Sequence, residues 1–125
     1  MVEKIRLGMS ERKVNKMSEI ALYIGPAALF EQTAEECVEL SKACLKMSRI
    51  LRGENPTPMT ENEARDMIIE ELCDVLTCVN EILDSNDDIN MSEIESRMIV
   101  KKARWEARLE EAKGMDTCES CKIKW

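Results

Sequence analysis

Apolar residues recur at helical spacing through most of the chain, and no alternating strand pattern competes with them. Val14, Met17, Ile20, Ala21 and Ile24 mark a first helix that Ser10 can cap and that runs to about Tyr23. Gly25-Pro26 breaks it, and Pro26 is suited to open the next helix. That second helix is predicted over Ala27 to Arg52, with Leu29, Val38, Leu40, Ala43, Leu45, Met47, Ile50 and Leu51 as apolar surface and Gly53 as its stop. Residues 53–59 form a Pro-containing loop. Thr60-x-x-Glu63 has the form of a capping box and starts a third helix through Ile68, Ile69, Leu72, Val75, Leu76, Val79, Ile82 and Leu83, which ends in the polar stretch from Asp84. Asn90 or Ser92 can cap a fourth, extending to about Lys113 before Gly114.

The expected fold is therefore all-α, a four-helix bundle-like domain over residues 1–114, with a tail at 115–125 that has no clear period. Helices 2 and 3 are apolar on more than one face, so a homo-oligomer, a homodimer or a homotetramer, is expected to cover the remainder. Aromatic residues are 3% of the 125, so the core must be aliphatic, Met, Ala and Cys.

Charge and composition exclude several activities. The net charge of −7 disfavours phosphate-backbone binding, so no nucleic-acid partner is expected. No apolar run reaches the roughly 20 residues of a membrane span, and Met1 to Gly8 lacks a signal-peptide core, which together suggest a soluble, cytoplasmic protein. The chain has no histidine, which rules out Ser-His-Asp and Cys-His nucleophile systems and the Glu-x-x-His pairs of di-iron bundles. Of the six cysteines, Cys37, Cys44, Cys73 and Cys78 fall on apolar helical stripes and read as small hydrophobes rather than a disulfide framework. Cys118-x-x-Cys121 is half a zinc site, or a reduced tail.

The distinctive chemistry lies in two acidic signatures, Glu35-Glu36-Cys37-Val38-Glu39 and Glu71-Leu72-Cys73-Asp74. At about 100° per residue, positions three apart lie within about 60°, so Glu36 and Glu39 share one helix face and Glu71 and Asp74 share another. Acids set among apolar neighbours are costly unless they hold a cation, and a hard divalent ion such as Mg²⁺ takes an oxygen shell of this kind. Lys101, Arg104 and Arg108 follow i, i+3, i+7 spacing on the fourth helix. They form either a solvated face paired with Glu106, Glu110 and Glu111 or the cationic side of a polyphosphate site.

The segment from Gln32 to Leu40, followed by Glu71-Leu72-Cys73-Asp74-Val75-Leu76, resembles the Glu-Glu-x-x-Glu … Glu-x-x-Asp signature of MazG-like all-α nucleoside triphosphate pyrophosphohydrolases. The run from Lys101 to Leu109 resembles their basic closing helix. The resemblance implies hydrolysis of a nucleoside or deoxynucleoside triphosphate to the monophosphate and pyrophosphate. It would place Mg²⁺, with Mn²⁺ as a substitute, on Glu36, Glu39, Glu71 and Asp74. Glu35 would be a supporting catalytic acid beside Glu36 and Glu39, and Gln32, Lys101, Arg104 and Arg108 would bind substrate. Two departures stand out. The acidic motifs are further apart than is common in the family, and Cys78 stands where some relatives carry a base-stacking aromatic residue. The competing readings are a non-catalytic helical interaction module, or the same fold acting as a deoxyuridine triphosphatase or a phosphoribosyl-ATP pyrophosphohydrolase.

Overall fold

A computed structural model describes residues 18–54 and 57–115. All regular structure among them is helical: α1 (Glu19–Ile24), α2 (Pro26–Arg52), α3 (Glu61–Ser85) and α4 (Met91–Met115). They fall into two compact units, one holding α1–α3 and the other α4. None of these helices is long and apolar enough to cross a membrane.

The unit of α1–α3 is organised by its helix ends. Gly25 adopts φ 83°, and its backbone N–H closes α1 onto the Ala21 carbonyl. Pro26, with no N–H to lose, then opens α2. At the far end Gly53 takes the left-handed conformation (φ 65°), which a side chain would strain, and its N–H returns to the Ile50 carbonyl. The capping box forms as the sequence indicates. Thr60 accepts from the Glu63 N–H, and the Glu63 carboxylate accepts from the Thr60 N–H at 2.8 Å.

Helices α2 and α3 pack along each other, and α1 packs against both. The pairing is antiparallel: Ile68 lies near Cys44, Met47 and Leu51, and Glu36 near Glu71 and Asp74. The fully buried positions are mostly small, Ala21, Ala43, Ala64 and Cys78, with Leu29 the one large aliphatic among them. Small residues at such positions let helix backbones approach closely. The broad aliphatic core expected from the sequence is not closed within the described residues, because Val38, Leu45, Leu51 and Ile69 are each more than half exposed. The cysteines divide likewise. Cys78 is buried as expected of a small hydrophobe, whereas Cys37, Cys44 and Cys73 are exposed, since α2 and α3 each turn only one of their apolar faces inward.

Two helix boundaries differ from the sequence expectation. Ser18, inside the predicted first helix, is extended (ψ 149°) and caps α1, its hydroxyl accepting from the Ala21 N–H at 3.1 Å and donating to the Glu81 carboxylate of α3. A residue holding two such bonds is worth more as a cap than as a helical link. The expected cap at Ser10 and the tail at 116–125, with Cys118 and Cys121, lie outside the described residues. In the second unit, Asn90 caps α4 by accepting from the Glu93 N–H at 2.9 Å, and the helix runs through Gly114 rather than stopping before it. No residue of α4 is buried.

The small side chains of the seam set its stability. Ala64→Leu should destabilise the chain by about 1–3 kcal/mol through overpacking, and Thr60→Ala by about 1 kcal/mol through loss of the cap. Urea unfolding followed by helical circular dichroism measures both.

Candidate functional site

The antiparallel seam brings the two acidic signatures together. One carboxylate oxygen from each of Glu36 on α2 and Glu71 and Asp74 on α3 lies within 4.8 Å of the others. Glu36 and Glu71 are half-buried and Asp74 is exposed. Gln32, one turn before Glu36, donates from Nε2 to Glu36 Oε1 at 2.6 Å and holds that carboxylate in place. The Glu71 carboxyl is raised above its ordinary pKa, first by desolvation and then by the negative charges of Asp74, Glu39, Glu36 and Glu70.

Glu39 is near enough to act on Glu71 through its charge, but it is not one of the three clustered acids. It pairs instead with Lys42, one turn on, at 2.9 Å. The geometric cause is the 60° or so between Glu36 and Glu39 on the α2 surface. Glu36 falls at the α3 seam, and Glu39 falls where a local lysine reaches it. Glu35 is exposed.

Beneath the acids sits Cys78, one turn past Asp74. Burial raises its thiol pKa, a hydrogen bond with the Thr33 side chain lowers it, and the charges of Glu36 and Asp74 raise it further. The net shift is upward, which disfavours the thiolate.

On α4, Lys101, Arg104 and Arg108 are exposed and share one face, as their spacing predicts. The ion pairs on this stretch are Lys102 with Glu106 (3.8 Å) and Lys113 with Glu110 (3.3 Å), and none engages Lys101, Arg104 or Arg108 among the described residues. Lys102 thus pairs with Glu106, while Lys101, Arg104 and Arg108 stand on the same exposed helix without such a pair among the described residues. Trp105 and Met98 line the same surface hollow as these cations. Neither was singled out from sequence, although Trp105 stands four residues after Lys101 and so on the same helical face.

Comparison with protein-family models, with curated proteins and with solved structures finds no match to this chain.

The raised pKa of Glu71 carries a sign for stability. Its folded-state value lies above its unfolded value, so between the two the native chain holds more protons, and its stability falls as pH rises through that window. In metal-free buffer, Glu71→Gln should melt above wild type at pH 7, and the gap should close as pH falls into the ordinary carboxylate range. Thermal melts of both proteins across pH 4–7 (on the order of the carboxylate range and above) read this directly.

Proposed function

We propose that the chain is a divalent-cation-dependent nucleoside triphosphate pyrophosphohydrolase with a MazG-like bundle fold. The observation that carries the reading is the convergence of Glu36, Glu71 and Asp74 from two helices, with their oxygens within 4.8 Å. Three carboxylates this close repel one another, which adds to the desolvation that raises the Glu71 pKa, and a hard cation relieves that repulsion. The donor set is all oxygen and partly exposed, which suits Mg²⁺ or Mn²⁺ and leaves room for phosphate oxygens. Glu39 can complete the set by leaving Lys42, because an exposed pair of this kind is worth little.

When bound, the cation neutralises phosphate charge and makes the α-phosphorus more electrophilic. The chain's own residues do the rest. Gln32 holds Glu36 in its binding orientation. Glu35 orients a water for in-line addition to the α-phosphorus and takes its proton. The bond from that phosphorus to the bridging oxygen breaks, and pyrophosphate leaves with the electron pair. On α4, the exposed Lys101, Arg104 and Arg108 remain the cations that the resemblance assigns to phosphate.

A panel of NTPs and dNTPs with Mg²⁺, assayed separately for pyrophosphate and orthophosphate, tests this reading. Pyrophosphate release should vanish with EDTA. It should fall by about 100-fold or more in Glu36→Gln and Asp74→Asn, while Arg104→Ala should raise KM by about tenfold. No turnover of any nucleotide, with melting unchanged by Mg²⁺, overturns the enzyme. Orthophosphate as the product overturns the cleavage position.

A further inference from the structure

Gln32 and Glu36 stand one turn apart on α2, about 40° from each other around the helix. The Gln32 amide donates from Nε2 to Glu36 Oε1 at 2.6 Å. Donor and acceptor ride on the same helix, so the bond does not depend on how closely α3 approaches. Glu71 and Asp74, the other two acids of the cluster, accept no such side-chain bond among the described residues. Of the three, Glu36 alone has an oxygen already engaged.

A carboxylate meets a cation through one oxygen or through both. With both it chelates across a narrow angle, which suits the large and adaptable shell of Ca²⁺, at about 2.3–2.6 Å. With one it fills a single corner of the near-ideal octahedron that Mg²⁺ demands, at about 2.0–2.1 Å. The N–H on Oε1 weighs on this choice. It directs the positive end of a dipole into the space beside that oxygen, where a chelated ion would have to share it. An ion held through Oε2 alone avoids that repulsion and keeps the hydrogen bond.

We propose, on the reading of this seam as a cation centre, that Gln32 confines Glu36 to one-oxygen coordination and so sets the site for a small octahedral cation, Mg²⁺ or Mn²⁺, over Ca²⁺. Gln32 acts through Glu36 and needs no contact with the ion, which makes it a positioning residue here. Ca²⁺ is the competitor to exclude because it is a hard divalent ion that takes the same oxygen donors.

Competition against bound Mn²⁺, followed by the paramagnetic resonance signal of the free ion, measures the affinities of the full chain for Mg²⁺ and Ca²⁺ without any nucleotide. The wild-type chain should prefer Mg²⁺. Gln32→Leu should lower the Mg²⁺/Ca²⁺ affinity ratio by about threefold to tenfold, the size of one hydrogen bond. Gln32→Asn keeps the amide but is one methylene shorter, falls short of Glu36 and should lower the ratio likewise. Gln32 is exposed, and a purely structural loss weakens both ions together, so the ratio isolates the hydrogen bond. A ratio unchanged in Gln32→Leu overturns the proposal, as does a Gln32→Asn variant that keeps the wild-type ratio. A wild-type preference for Ca²⁺ overturns it too. Mn²⁺ that fails to bind the wild-type chain overturns the cation centre and this proposal with it. The expected ratios without pyrophosphate release from any nucleotide support the selectivity and overturn only the hydrolase.

Discussion

The close packing of α2 against α3 over small buried residues is the constraint on which the first unit depends. Glu36, Glu71 and Asp74 come within 4.8 Å because the helices that carry them pack closely over small buried residues. Close packing and like charge oppose each other here. The seam must be held by the caps at both ends of the loop and by Ser18 binding Glu81, while the acids push the other way.

How much of this was legible beforehand follows from which signals are local. The ends of α2 and the start of α3 were readable because Pro26, Gly53 and the Thr60–Glu63 box act within one turn of chain. The start of α1 was not. The apolar period continues across Ser18, and only the tertiary bond to Glu81 gives the break its value. Gly114 reads as a stop, yet a single glycine costs only about 1 kcal/mol in a helix, and α4 runs through it to Met115.

The candidate site shows the same division. Spacing alone placed Glu36 and Glu39 on one helix face and Glu71 and Asp74 on another, and three of these four acids converge. It could not separate Glu36 from Glu39, because which of the two meets α3 depends on how α2 is rotated in its packing, and Lys42 competes for the second. Nor could periodicity say which apolar face of α2 would turn inward. Cys37 and Cys44 stand on the exposed face and Cys78 on the buried side of α3. All three read alike as small hydrophobes.

Cys78 has a consequence of its own. Burial first, and then the charges of Glu36 and Asp74, oppose formation of its thiolate, the form that reacts with oxidants and alkylating agents. So long as α2 and α3 stay together, the sulfur is shielded from solvent, unlike the exposed thiols of Cys37, Cys44 and Cys73. Its modification therefore marks the moments when the two helices part.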